Sequence, residues 1–290
     1  MKSLSGFLKE IATCVPFFEF SGTIAETDKS KVVSGRINNT PVFVKVLSLA
    51  DAYWKNKFTN EIKIYRAFSR HAAPVKILKV VYSNIRKGII VYEQLIAQPL
   101  SHARYPSDPA QFAYCPRIVA DIKKISRYSY LPRRANAGDN NSWIHKASNY
   151  TNSGILNPGD LVKIKHLLNI SGHDVEFAHG DVLFTNCLIL SQDGSVAYLD
   201  WEFAGYYLKG YDLALLWIIM MKSPDSRKYI LDCVFAGYKD FPCEFFVNLF
   251  LLVAREIKIH KEARNVPGFS QILEGLAADL SWIRAVTRDV

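Results

Sequence analysis

The stretch Glu176–Leu190, EFAHGDVLFTNCLIL, constrains this chain more than any other. It sets His179, Gly180, Asp181 and Asn186 between two apolar runs of strand character. Such residues favour turns and caps over strand interiors, so the chain bends here and presents polar groups. Beyond Asn186 come Cys187-Leu188-Ile189-Leu190, a turn around Asp193-Gly194, and Val196-Ala197-Tyr198-Leu199-Asp200, the pattern of an antiparallel hairpin. With the turn centred at residue 193, Asn186 and Asp200 face each other at the open end, their Cβ atoms roughly 5 Å apart. Asp181 lies on the loop that feeds this end. Two carboxylates and an amide oxygen at one mouth describe a hard-cation site for Mg²⁺ with room for phosphate oxygens.

The first third of the chain reads as strands around one helix. Phe17–Glu26, Lys31–Ile37 and Thr40–Leu47 are strand-like, and Asn38-Asn39 joins the last two as a hairpin turn. In the third strand Lys45 shares a face with Phe43 and Leu47, an odd place for an ammonium. Asp51–Arg70 is helical by its spacing, with Trp54, Phe58, Tyr65 and Phe68 on one stripe that Glu61 interrupts. A buried charge is tolerable when paired, so Lys45 and Glu61 are natural partners across a packed strand and helix. The plain alternative is two independent side chains that reach solvent along their stems. Further strands are expected over Val75–Tyr82 and Gly88–Tyr92. Glu93-Gln94-Leu95-Ile96 then leads into Pro99, Pro106 and Pro109, which places a boundary between lobes 1–95 and 96–290. Beyond it, helices are expected over Arg117–Tyr128, Glu244–Arg264 and Ser270–Arg288, with a polar loop over Pro132–Trp143.

Charge and composition narrow the function. The net charge is +9, but residues 1–95 hold 15 basic against 7 acidic residues while the rest is nearly balanced. No dense basic run occurs, so nucleic acid is disfavoured as a partner. The longest apolar run, Leu213–Met221, is far short of the roughly 20 residues that span a bilayer. Lys2, Lys9 and Glu10 crowd the start of the chain, unlike a secretory signal, so a cytoplasmic location is expected. The five cysteines are scattered without a C-x-x-C pair and read as reduced thiols, neither disulfides nor zinc ligands.

His179-Gly180-Asp181-x-x-x-x-Asn186 resembles the kinase catalytic loop H-x-D-x-x-x-x-N, and Leu199-Asp200-Trp201-Glu202 stands where protein kinases carry D-F-G. With Gly210-Tyr211-Asp212-Leu213-Ala214, the set is similar to the aminoglycoside phosphotransferase and choline kinase family. The resemblance spans nearly the whole chain, since Lys45, Glu61 and Glu93–Ile96 come in the required order. It implies an α+β, bilobal protein-kinase-like fold, with a small antiparallel-sheet N-lobe carrying one main helix and a larger, mostly helical C-lobe. It further implies a small-molecule kinase using ATP and Mg²⁺ to phosphorylate a hydroxyl group.

By that resemblance Asp181 is the catalytic base and His179 orients the loop. Asn186 and Asp200 hold Mg²⁺, Lys45 grips the α/β phosphates, Glu61 holds Lys45, and the backbone of Glu93, Gln94, Leu95 and Ile96 meets the adenine edge. A glycine-rich loop is absent from Ala25–Ser30, and Trp201 and Glu202 replace Phe and Gly, which argues for a small-molecule kinase over a protein kinase. Asp212 reads as a helix N-cap. For the acceptor, choline or ethanolamine would want an aromatic cage, with Tyr206, Tyr207, Tyr211, Trp217 and Trp282 as walls. An aminoglycoside would want acidic groups such as Glu256, Glu262 or Glu274. The rival reading is a catalytically silent nucleotide-binding or scaffold protein of the same fold.

Overall fold

Two adjacent asparagines set the register of the first sheet. Asn38 and Asn39 both adopt left-handed backbone, with φ of 47° and 66°, which asparagine tolerates and which matches the twist of the strands it joins. The computed structural model describes residues 4–48, 51–130, 140–263 and 269–290. The first hundred residues form α1 (Leu4–Cys14), β1 (Phe18–Glu26), β2 (Ser30–Ile37), β3 (Thr40–Leu47), α2 (Ala52–His71), β4 (Lys76–Ile77), β5 (Val80–Asn84), β6 (Ile89–Glu93) and β7 (Ala97–Pro99). Then come α3 (Pro109–Phe112), α4 (Cys115–Ser126), α5 (Asn140–Asn152), α6 (Pro158–Ile170) and β8 (Val175–Ala178). The hairpin β9 (Cys187–Leu190) and β10 (Val196–Tyr198) precedes β11 (Gly205–Leu208), α7 (Tyr211–Ile219), α8 (Pro224–Phe235), α9 (Cys243–Glu262) and α10 (Phe269–Val286).

The chain divides into two compact units. One comprises Met1–Leu100 with Asn186–Ala204, the other Ser101–Thr185 with Gly205–Val290. In the first unit, five strands run in the order β1-β2-β3-β6-β5 and a second sheet runs β4-β10-β9-β7. Val33, Val42, Val44, Val46, Ile89 and Val91 line one face of the larger sheet, closed by Phe7 and Ile11 of α1. Asp51 caps α2 by accepting the N–H groups of Tyr53 and Trp54. Phe58, Tyr65 and Phe68 of the expected stripe are buried, with Ile62 beside them, while Trp54 is half-buried. Phe68 meets Trp201 edge to face at 4.8 Å between centroids.

In the second unit, β8 pairs with β11, and α9, buried along most of its length, is the central helix. It packs on α6, α7 and α10. Trp217 and Trp282 stack at 4.9 Å.

Two expectations are corrected. The single strand over Val75–Tyr82 is two: β4 pairs in parallel with β10, while β5 joins the other sheet against β6. Local apolarity cannot announce that switch of partner. The polar stretch Pro132–Trp143 lies outside the described residues as far as 139, and its last four residues open α5.

Candidate active site

In the first unit, β3 and α2 bring Lys45 and Glu61 together. Lys45 Nζ donates to Glu61 Oε2 at 2.8 Å, and the Glu61 side chain is only 1% exposed. Tyr92 of β6 donates its hydroxyl to the other oxygen, Oε1, at 2.8 Å. The interrupted stripe of α2 is therefore a buried ion pair, the arrangement under which a core accepts charge.

The segment after β10 closes on the same ammonium. Lys45 Nζ also donates to Asp200 Oδ1 at 2.8 Å, and Glu202 Oε2 lies 3.7 Å away. Asp200 has left-handed backbone, φ 57° and ψ 61°, a conformation that short polar side chains reach with least strain. Asn60 of α2 donates to the carbonyls of Glu202 at 3.2 Å and Ala204 at 2.8 Å, which ties the segment to the helix. Burial works to lower the Lys45 pKa, but Glu61, Asp200 and Glu202 together raise it well above the usual lysine range. Burial, then Asp200, push the Glu202 carboxyl up to about 7.

The donor set suits a hard cation. Oxygens of Glu61, Asp200 and Glu202 all lie within 4.8 Å of one another. Three carboxylates against one ammonium leave an excess of negative charge, and oxygen-only donors are what Mg²⁺ takes. Asn186 is in the same unit, but the expected opposition of Asn186 and Asp200 is corrected by one residue. Tyr198 pairs with Cys187, and Leu199 donates its N–H to the Asn186 carbonyl at 2.9 Å. The loop closes through Gly194 at φ 64°, shifting the register, and Asp200 turns out of the ladder.

Around the strand exit, Glu93 donates its N–H to Lys79 O, and Gln94 donates to Pro41 O. Glu93 Oε2 pairs with Lys79 at 3.1 Å. Ile96 gives its carbonyl to Ser191 N. Leu95 has no backbone hydrogen bond among the described residues. A tight turn at Thr27–Ser30 stands where a glycine-rich loop would, its Thr27 hydroxyl accepting from Lys29 and Ser30 N–H. It sets Lys29 over the Trp54 ring at 3.7 Å.

The second unit holds the H-G-D loop. His179 is fully buried, and its Nδ1 accepts the Asp181 N–H at 3.3 Å. Asp212 is not the cap of α7, a correction: Gly210 occupies that position at φ 81°. Its N–H goes to Glu176 Oε1 at 2.7 Å. The Asp212 carboxylate instead accepts the N–H groups of His179 at 2.7 Å and Gly180 at 3.0 Å, one on each oxygen. Asp212 is thus the clamp that shapes the loop. Asp212→Asn puts an amide N–H₂ against a backbone donor, and the orphaned buried N–H costs about 1–3 kcal/mol. Urea denaturation is expected to show that loss; unchanged stability would remove the clamp.

Also in this unit, Glu256 of α9 is fully buried. Arg104 grips it with two bonds, at 2.7 and 2.8 Å. Arg255 adds bonds at 3.1 and 3.0 Å and Tyr105 Oη one at 2.9 Å. Burial pushes the carboxyl up, but the Arg104 bond and the charges of both arginines hold it down at about 2. Glu256 is therefore spent internally and is no acidic wall for a cation. Of the aromatic residues weighed for a cage, Trp217 stacks on Trp282 and carries Arg227 at 3.9 Å, and Tyr206 packs on Phe177, while the half-buried Tyr207 and Tyr211 lie together at 4.1 Å between centroids. Sequence reasoning missed Arg104, Arg255 and Tyr92, which carry no local motif.

Residues 157–229 match the family model of choline/ethanolamine kinase. No curated protein sequence matches the chain. Among solved structures, choline kinase LicA from Streptococcus pneumoniae is similar at a TM-score of 0.59 and 14% identity, over 94% of this chain and 98% of that one. The GDP complex of aminoglycoside 2′-phosphotransferase-IIIa is similar at 0.63 and 14% identity, over 97% and 99%. A ternary complex of aminoglycoside phosphotransferase APH(4)-Ia with ADP and hygromycin B gives 0.59 and 13% identity, over 99% and 97%. At such identities the likeness shows the fold: this chain has the α+β, protein-kinase-like fold of small-molecule phosphotransferases.

Proposed function

We propose that this protein is an ATP- and Mg²⁺-dependent phosphotransferase that phosphorylates a hydroxyl group of a small molecule. The observation that carries this reading is the largely buried Lys45 ammonium, its side chain 12% exposed, shared by Glu61 and Asp200, both at 2.8 Å. A sheet and helix that needed only to pack would be more stable with apolar residues there. Within the reading, Asp200 and Asn186 hold the metal with Glu202 beside them, and Lys45, fixed by Glu61, holds the α/β phosphates. The open backbone of Leu95 receives the adenine edge. Bound Mg-ATP supplies the γ-phosphoryl group, whose bond to the β,γ-bridging oxygen breaks as ADP leaves, and the divalent charge that neutralises its oxygens. Asp181 orients the acceptor hydroxyl and takes its proton as the new oxygen–phosphorus bond forms. His179 and Asp212 keep the loop in shape and move no proton.

The test is ADP release from Mg-ATP by the full chain against pools of small alcohols, with calorimetric binding of Mg-ADP alongside. Turnover that depends on the pool and stops with EDTA is expected. Nucleotide binding without turnover from any pool would replace this reading with the silent nucleotide-binding one, and absence of both would end it.

A further inference from the structure

The inner end of the Lys45 site holds a hydroxyl to which the phosphotransferase reading gives no task. Across β3 and β6, Phe43 pairs with Tyr92 and Lys45 with Ile90, so Tyr92 stands diagonally from Lys45 on the sheet face that meets Glu61. Tyr92 is 5% exposed. Its ring packs edge to face on Tyr65 of α2 at 5.4 Å between centroids, and its hydroxyl donates to Glu61 Oε1 at 2.8 Å.

The Glu61 carboxylate is thereby divided between two donors. Oε2 accepts from Lys45 at 2.8 Å, and Oε1 has no hydrogen bond other than that of Tyr92 among the described residues. The last torsion of a glutamate is soft, so a carboxylate held at one oxygen turns and one held at both is fixed. Fixing matters because the ammonium is contested. Lys45 donates to Asp200 at 2.8 Å as well, and Glu202 Oε2 lies 3.7 Å away. Whichever carboxylate keeps the ammonium sets where Lys45 points. Asp200 is 37% exposed and Glu61 1%, so the clamp sits on the inner partner and leaves the outer one open to solvent.

We infer that Tyr92 is a positioning residue: by fixing Glu61 Oε1 it keeps Glu61 as the standing partner of Lys45 and leaves Asp200 to a divalent ion. The inference rests on the phosphotransferase reading for what Lys45 grips, but the clamp is a property of the first unit without nucleotide. Tyr92 also directly precedes Glu93, whose N–H goes to Lys79 O and where the segment proposed for the adenine edge begins. One residue thus joins that segment to the ammonium proposed for the phosphates. A ring needed only for packing would be served by phenylalanine, which buries no hydroxyl.

Tyr92→Phe keeps the ring and removes the clamp. The first readout is the rate at which an amine reagent modifies Lys45 in the free protein, followed by mass spectrometry. Lys31, with a side chain 8% exposed and paired with Glu26 at 2.8 Å, is the internal control. The second is calorimetric binding of ADP with and without Mg²⁺. In the variant, Lys45 is expected to be modified about threefold faster or more while Lys31 is unchanged, the mark of a local opening. Mg-ADP is expected to bind about tenfold more weakly, the worth of a hydrogen bond to a charged group. In a Glu61→Leu background, where the hydroxyl has no acceptor, Tyr92→Phe is expected to change neither quantity, the non-additivity of contacting residues. Unchanged Lys45 modification, equal acceleration of Lys31, an undiminished effect in the Glu61→Leu background, or Mg-ADP bound within twofold of a wild type that binds it would overturn the inference. The expected Lys45 response in a chain whose wild type binds no Mg-ADP would leave the clamp standing and count against the phosphotransferase reading instead.

Discussion

Asp181→Asn is expected to lower kcat by roughly 10²–10⁴-fold, the range a positioned general base contributes, while Mg-ADP binds within about twofold of wild type. The substitution is nearly isosteric. The loop is shaped by bonds that do not use the Asp181 carboxylate: Leu183 N–H to the Asp181 carbonyl at 2.7 Å, Asp181 N–H to His179 Nδ1 at 3.3 Å, and the two bonds of Asp212 to His179 and Gly180. The substitution removes one carboxylate charge and with it the capacity to take a proton. Stopped-flow or coupled ADP assays at saturating nucleotide measure the effect. A variant retaining more than a tenth of wild-type kcat would show that Asp181 is not the base, and a variant that lost nucleotide binding as well would point to a collapsed loop.

What local pattern determines is legible in the amino-acid sequence. Alternation along Thr40–Leu47 places Lys45 on a face of its strand, and the vacancy in the stripe of α2 singles out Glu61; the two meet at 2.8 Å. Both are matters of period, two for the strand and 3.6 for the helix. Features that depend on long-range partners are not legible in this way. The split of Val75–Tyr82 follows from the pairing of β4 with β10, over a hundred residues away in sequence. The hairpin β9–β10 clusters with the first hundred residues because its neighbours are β7 and β4. One left-handed glycine, Gly194, moves the hairpin register enough to set Leu199 opposite Asn186. Asp212 matches the statistics of an N-cap, yet it reaches back 33 residues to His179 N–H. The role of Glu256 depends on which face of α9 is buried and on Arg104, 152 residues earlier.

Lys45→Met tests whether the largely buried ammonium is there for packing or for chemistry. Removing it leaves Glu61, 1% exposed, with the Tyr92 hydroxyl as its remaining side-chain partner among the described residues of the first unit. Breaking a buried pair by deleting one side costs about 3–5 kcal/mol, which urea denaturation would register as a large fall in midpoint. Glu61→Gln in the same chain removes the orphaned charge and keeps the Tyr92 bond available through the amide oxygen. The double variant is therefore expected to recover about 1–3 kcal/mol of the loss, the size of coupling found between contacting groups. Turnover must respond differently. An amide in place of Glu61 restores no positive charge at the phosphates, so the double variant stays as inactive as Lys45→Met alone. Stability that recovers without activity separates the two roles of one side chain. Recovery of both would make Lys45 a packing residue and remove the observation on which the phosphotransferase reading stands, whereas recovery of neither would show that the pair is not coupled as its 2.8 Å contact requires.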